Sequence, residues 1–502
     1  MATADHIPVI VGVGEINDRP RANAVGLDSV ELMTAAARLA NTDSGGGFLD
    51  QCDWLAITPQ ISFREYDVPA MLPKALGIAP ATIIQASIPN GDTPVRHLNE
   101  AANAIASGNA TVCLLVGGEA IRESARRAAA AGNSKALFAG SAASASDLRR
   151  RYGLITPSDI YPLYENACRA AWGQTLAEGQ AESAEIWSRL SEVAVNAEGA
   201  WLKQPRSSEE ISDINSDNRL IAFPYSKLMV ANASVNQGAA VFVTSLAKAR
   251  AAGISDSQLV YIGAGAAAHE DEEPLARASW TGSVSMNVVL EKVMTFNQLT
   301  VEDLDHIELY SCFPCVPKIA RRALGLSLEK PLSVHGGLTF GGGPIGNYML
   351  HATAAMVRSL RSSGKFGLLY GNGGHCTHNH AIVLARNPIE GVDFPQNYHV
   401  QALADALREP IPAINDAYQG PAVIETYTVF YKRDGTADYA TVIGRNTVGE
   451  RVLARINGSD DNGIRFLSSG DSEPVGSHGE TILKGDTLHW QYAENHSQNS
   501  TA

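Results

Sequence analysis

Two stretches of this 502-residue chain repeat one grammar, and that repetition limits the folds open to it more than any other feature. The first is NGDTPVRHLNEAANAIASGNATVCLLVGGE, Asn90 to Glu119. The second is GGPIGNYMLHATAAMVRSLRSSGKFGLLYGNGG, Gly342 to Gly374. Each has a Gly- and Pro-bearing turn, an amphipathic helical pattern, a Ser-Gly stop and a buried strand that runs into glycines. Alignment sets Ser107-Gly108 against Ser363-Gly364 and CLLVGG against GLLYGN. A repeat on this scale predicts two similar halves, each a sheet layered with helices.

The openings of the halves match as well. PVIVGVGE, followed by the helical LDSVELMTAAARLA, predicts a βα unit, and LVYIGAG (Leu259 to Gly265) opens the second half in the same way. Gly12 and Gly14 invite a dinucleotide-binding reading, but the third glycine and the downstream acidic residue of that fingerprint are missing. Between the halves, Ser141 to Ile254 is long, helical and richer in Trp and Tyr, which suits a cap over a cleft. Beyond AIVLARNP the pattern changes. Pro421 to Gly458 alternates strand-like runs with RDGT, GRNT and NGSDDNG turns, predicting an antiparallel meander or small barrel. The final ENHSQNSTA reads as a frayed tail.

Composition narrows the partners. A formal net charge of −14 at pH 7 opposes binding to nucleic acid or anionic lipid. The basic runs Arg122 to Asn133 and Asp147 to Gly153 read as solvated helix faces or as a rim for a small phosphorylated ligand. No apolar run is long enough to cross a bilayer, and the N-terminal sequence lacks a signal-peptide pattern, so a cytoplasmic protein is expected. Cys52, Cys113, Cys168, Cys312, Cys315 and Cys376 make no disulfide framework and read as free thiols.

GNGGHCTHNH (Gly371 to His380) and SCFPC (Ser311 to Cys315) concentrate the chemistry-bearing residues. If HCTHNHAIVL enters a strand, period two puts Cys376, His378 and His380 on one face and His375, Thr377 and Asn379 on the other. A zinc site shared by the two loops, redox chemistry at CFPC and plain structural histidines are the competing readings. No metal is assigned.

Short ordered motifs in residues 5–390 resemble the thiolase superfamily, above all its sterol-carrier-protein-2-type branch. IELYSCF (Ile307 to Phe313) is similar to that branch's VELHDCF, GGLTFGGGPIG (Gly336 to Gly346) to its GG....GHP.G, VNQGAAV (Val235 to Val241) to its SDGAAA, and GNGGH (Gly371 to His375) to its CxGGG turn. The distal barrel resembles the additional C-terminal domain of thiolase-like proteins of type 1. The resemblance implies an α/β, duplicated five-layer αβαβα thiolase fold with an inserted helical loop region and a small OB-like β-barrel at the C-terminus. The implied boundaries are 1–255 for the first half (loop region about 120–235), 256–392 for the second and 415–495 for the barrel.

The departures all fall on the chemistry. The family's nucleophilic cysteine aligns with Gly91, the histidine of its GHP turn with Gly343, its acid-base cysteine with Gly371, and its His-Asp pair with Tyr310 and Ser311. Without an activated thiolate and a neighbouring base, the covalent acyl-enzyme route is lost. The resemblance leaves the backbone amides of Gly91, Gly343 and Gly373 as candidate oxyanion donors, and the sequence reads Asp92 or Thr93 as cap of a helix with Pro94 in its first turn. His375 or His378 is then a candidate replacement base, Cys312 or Cys376 a candidate nucleophile, and Tyr310 a hydrogen-bond donor.

The function expected is acyl-CoA-dependent acyl transfer or retro-Claisen cleavage without the usual Cys/His/Cys set. The alternatives are a non-catalytic CoA, acyl-CoA or lipid binder, and a supporting subunit of a catalytic partner. CoA or acyl-CoA is expected as substrate or ligand, with no tightly bound cofactor. A protein partner at the barrel and a monomeric or dimeric state both stay open.

Overall fold

The computed structural model describes residues 4–21, 24–132 and 145–492. Numbered along the chain, the strands of its main sheet are β1 (Pro8–Asn17), β2 (Trp54–Ile57), β3 (Thr82–Gln85), β4 (Val112–Ala120), β7 (Asn236–Ser245), β8 (Val260–His269), β9 (His306–Leu309), β10 (Phe366–Gly373) and β11 (His378–Ala385). They run in the order β3-β2-β4-β7-β1-β8-β11-β10-β9. Read outward from the centre, β1-β7-β4-β2 and β8-β11-β10-β9 are one pattern drawn twice. In each, the two inner pairings are antiparallel and the outermost is parallel. The halves join through a short antiparallel contact, Val9 with Tyr261 and Ile10 with Val260.

The repeated segments form corresponding elements. Helices Thr93–Ala106 and Tyr348–Ser362 touch each other and strands of both halves, so they form the middle layer. Helix Ser29–Asp43 covers β1, β4 and β7 from outside, and helix Val284–Phe296 covers β8 and β11. Five layers result. β4 is buried along its whole length, which is why VCLLVGGEA reads as a continuous apolar run rather than an alternation. Gly12 and Gly14 serve packing. A Cβ there would stand 2.2 and 2.3 Å from the carbonyl oxygens of Ala40 and Ala36, so glycine lets the outer helix press onto β1.

The segment between the halves is more mixed than a helical cap. Helices Pro157–Ala171 and Leu176–Asn196 form its body, while β7 at its end belongs to the centre of the main sheet. Residues 141–144, Asn133 and the tail Glu494 to Ala502 lie outside the described residues. Two short strands from this segment, β5 (Leu220–Ala222) and β6 (Tyr225–Ser226), extend the sheet of the C-terminal unit. That unit is a closed five-stranded barrel over residues 420–492, made of β12 (Gly420–Tyr431), β13 (Ala437–Asn446), β14 (Arg451–Asn457), β15 (His478–Lys484) and β16 (Thr487–Tyr492). It is not wholly antiparallel, because β14 meets β16 in parallel at Arg455 and His489, the contact that closes the barrel.

The barrel is fastened to the body by polar side chains. Arg451 is fully buried, pairs with Glu425 at 2.8 Å and donates to the carbonyls of Leu275 and Arg277 at 2.7 Å. Thr426 and Thr441 donate to the carbonyls of Leu163 and Tyr152. The basic runs are also used internally. Arg126 and Arg127 both pair with Glu123, and Arg149 donates to the carbonyl of Leu154.

Candidate functional site

The turns that carry the replaced family positions meet. A Cβ added at Gly91 would lie 2.2 Å from the carbonyl oxygen of Asn372 and 2.3 Å from the Tyr310 hydroxyl. One at Gly371 would lie 3.0 Å from Cα of Asp92, and one at Gly373 2.7 Å from Asp92 Oδ1. The third turn abuts the first, since a Cβ at Gly346 would lie 3.0 Å from Pro89 Cβ. The space beside both aligned thiol positions is therefore occupied. Tyr310 fills it beside Gly91, the Asp92 backbone and the Val95 side chain fill it beside Gly371, and the Asp92 carboxyl lies against Gly373.

Tyr310 is buried, with its ring edge-to-face on Tyr348 at 6.0 Å, and burial raises its pKa well above the ordinary value. It stays a phenol, able to donate. Asp92 occupies the position before helix Thr93–Ala106, with Pro94 in the first turn as the sequence predicts, but its side chain makes no capping bond. Oδ1 is buried without a partner. Burial raises the Asp92 pKa, with His378 and Arg96 pulling it back. Asp92 is the functional candidate that sequence reasoning missed, having been assigned only to a cap.

The turn itself is pinned from the cap. Tyr161 donates its hydroxyl to Asn372 Oδ1 at 3.0 Å and to the Gly374 carbonyl at 3.2 Å, and accepts from the Cys376 amide at 3.2 Å. Phe313 stacks on the Tyr161 ring at 4.6 Å, which brings the CFPC loop to the same place. Tyr164 donates to the carbonyl of His375, and Arg277 to Thr377 Oγ1. Their signal was an aromatic pair in IYPLYENACRAA, distant in sequence from the turn.

Other expectations are corrected. Strand β11 begins at His378, and Cys376 sits in a turn with φ +56°, so the period-two alternation does not reach residues 375–377. Cys376 therefore does not share a strand face with His378 and His380. The Gly343 amide already donates to the carbonyl of Asn232 at 2.9 Å, which removes it as an oxyanion donor. Burial pushes the Cys312 thiol up to about 12 and the Cys376 thiol well above its ordinary value. Neither is poised as a thiolate nucleophile.

His375 is held near Arg149 and Arg277, and burial together with those two cations lowers its pKa to about 3. It is neutral at physiological pH. His378 is 24% exposed and pairs through Nε2 with Glu272 at 2.9 Å, near the exposed Gly374. Among the described residues, the His375 to His380 turn and CFPC supply no three-ligand metal group.

Half-sheets folded over two buried helices, with the N-terminal turn of one helix meeting the glycine turn after β10, define a thiolase-like α/β protein. Solved structures agree on that class. The dimeric peroxisomal thiolase of Saccharomyces cerevisiae is 14% identical with a TM-score of 0.57, over 76% of this chain and 98% of that one. An acetyl-CoA acetyltransferase from Syntrophomonas wolfei is 15% identical with a TM-score of 0.55, over 76% and 99%. The monomeric SCP2-thiolase-like protein type 1 from Mycobacterium smegmatis is 30% identical with a TM-score of 0.82, covering 97% of this chain and 99% of that one. Residues 401–484 match the thiolase-like protein type 1 additional C-terminal domain. No curated protein matches the sequence. The chain belongs to the SCP2-thiolase-like protein type 1 family.

Proposed function

We propose that the protein acts on a CoA thioester without a covalent enzyme intermediate, by direct acyl transfer or retro-Claisen cleavage. The reading is carried by the buried Asp92 carboxyl, whose Oδ1 has no partner and lies against Gly373. Burial raises the pKa of this carboxyl above the ordinary aspartate value, which makes it a stronger proton acceptor than an exposed aspartate. In a cleavage, Asp92 takes the proton of an incoming thiol as its sulfur adds to the β-carbonyl. The Cα–Cβ bond then breaks, its electron pair passes to the thioester enolate, and Asp92 returns the proton to the α-carbon. Tyr310, with the Gly91 amide, donates to the oxygen on which charge develops. Entry is over the exposed Gly374 side.

The test is turnover of acetoacetyl-CoA with free CoA, followed by loss of the β-keto thioester. Turnover is expected to fall by about 100-fold or more in Asp92→Asn, the scale of a lost general base. Unchanged turnover in that variant would remove Asp92 from the mechanism. Wild-type protein that turns over neither this thioester nor acyl-CoA with alcohol acceptors would sink the catalytic reading.

A non-catalytic binder is the second reading, favoured by the Tyr310 hydroxyl standing where a first-half nucleophile would project. Calorimetry with CoA and acyl-CoA decides it. The Mycobacterium smegmatis relative is described as monomeric, and a monomer is the state we propose here. A solved aldolase complex, Ltp2-ChsH2(DUF35), is 18% identical over 76% of this chain, and it motivates a search for a protein partner at the barrel.

A further inference from the structure

Away from the paired turns, the fold buries a second set of chemistry-bearing side chains. Glu15 near the end of β1, His335 in the loop before Gly336 and His351 on helix Tyr348–Ser362 place one ligand atom each within 4.8 Å of one another. Glu15 Oε1 lies 3.1 Å from His335 Nε2 and 2.7 Å from His351 Nδ1, and all three side chains are at most 2% exposed. Arg358 pairs with the other carboxylate oxygen, Oε2, and also with Glu198 at 3.3 Å. We propose that Glu15, His335 and His351 form a binding site for a divalent transition-metal ion of the zinc type.

The chemistry of the donor set is the first support. Two imidazoles and one carboxylate are a recurrent ligand set for such ions, three protein ligands leaving a position for water. Ligands at about 2.0–2.1 Å from zinc stand about 3.3 Å apart in a tetrahedron, so the cluster must spread by a few tenths of an ångström.

The second support is what these histidines do not do. Elsewhere, His6 and His306 bond backbone carbonyls and His380 bonds Asn99 Oδ1, while His375 Nε2 is also without a partner. His335 Nδ1 and His351 Nε2 have no partner, so the polar contacts of both rings are made at Glu15. Arg358 on Oε2 supplies the outer hydrogen bond that commonly orients a ligating carboxylate. Glycines let the backbone close on the cluster, for a Cβ at Gly199 would stand 2.0 Å from Glu15 Oε1 and one at Gly341 2.4 Å from His335 Nδ1.

The experiment uses full-length protein stripped with chelator and titrated calorimetrically with Zn²⁺, then with Co²⁺ under visible absorption. About one equivalent should bind, with a tetrahedral Co²⁺ spectrum lacking thiolate charge-transfer bands and a rise in melting temperature on zinc addition. His351→Gln and Glu15→Gln should each weaken binding by about 100-fold or more, an expectation set by losing one of three ligands. Failure of the wild type to bind, or a thiolate-type cobalt spectrum, overturns the proposal, as does equal affinity in folded variants. If a variant does not fold, the wild-type spectrum and stoichiometry decide alone. None of these outcomes depends on the paired turns or on turnover.

Discussion

The two positions that align with family cysteines are vacated alike and refilled differently. Beside Gly91 stands an uncharged ring, Tyr310, packed edge-on against Tyr348. Beside Gly371 stand the Asp92 backbone and the Val95 side chain, and the Asp92 carboxyl, buried and with an unpartnered oxygen, lies two residues further on against Gly373. Filling a void with a ring is what close packing favours by itself. Burying a carboxyl with one oxygen unpartnered opposes folding by desolvation, against the attraction of His378 and Arg96. The comparison separates a ring that completes the core from a carboxyl that does not, and the proposed proton transfer rests on the second.

The harshest way to break the comparison is to put side chains back. Gly91→Ala meets the Asn372 carbonyl, which is backbone in β10 and cannot swing away, and a loss of about 3 kcal/mol or more is expected in denaturant melts. Gly373→Ala meets the Asp92 carboxyl at 2.7 Å and Asn90 Cβ at 2.9 Å, both side-chain atoms, and should cost about half as much. Equal losses would mean that both turns are governed by backbone fit and that Asp92 is incidental.

Removing the Tyr161 hydroxyl comes next. Tyr161→Phe leaves the Cys376 amide, the Gly374 carbonyl and Asn372 Oδ1 short of a partner, a cost of about 1–3 kcal/mol. Hydrogen exchange should quicken at residues 372–377 and stay unchanged around Gly91. Exchange that quickens equally at both would show the two turns to be one cooperative unit.

How far these features were legible in the sequence follows the same division. The half-sheets were readable because CLLVGG and GLLYGN are continuous apolar runs, and a strand buried on both faces needs such a run wherever it occurs. The barrel was readable from its turns. The site was not. Asp92 looked like a helix cap because Asp before Thr-Pro normally is one, and only coordinates show its oxygen unbonded. Tyr161 reaches the turn from 215 residues away in sequence, and Glu15 and His351 are 336 residues apart, separations that no spacing rule covers. The face assignment at Cys376 failed because a turn with positive φ interrupts the strand pattern, which periodicity cannot register.

Asp92→Asn is the gentler probe of stability. Because burial raises the Asp92 pKa, the native state holds its proton to higher pH than the unfolded chain does. The ionised group thus weakens the fold at neutral pH, and stability recovers as pH falls through the native pKa toward the unfolded value of about 3.9. The asparagine variant should be more stable than the wild type at pH 7, with the advantage gone near pH 3. A variant less stable at pH 7 would mean that the attraction of His378 and Arg96 outweighs desolvation, making Asp92 a structural anion.

The smallest effect is expected where the comparison has no counterpart. Gly343 aligns with the lost histidine, yet a Cβ there stands 3.2 Å from the Asn232 carbonyl oxygen and 3.3 Å from that of Leu338. Its φ is not positive, so alanine brings no left-handed strain. Its amide would keep the bond to Asn232. Gly343→Ala should therefore change stability by less than about 1 kcal/mol, since neighbours need to yield only a few tenths of an ångström. Turnover should also hold, because that amide is committed to Asn232 and not to a substrate oxygen. A large loss of turnover with the melt unchanged would return Gly343 to the site, and would mean that the third turn shapes substrate as directly as the two now occupied by Tyr310 and Asp92.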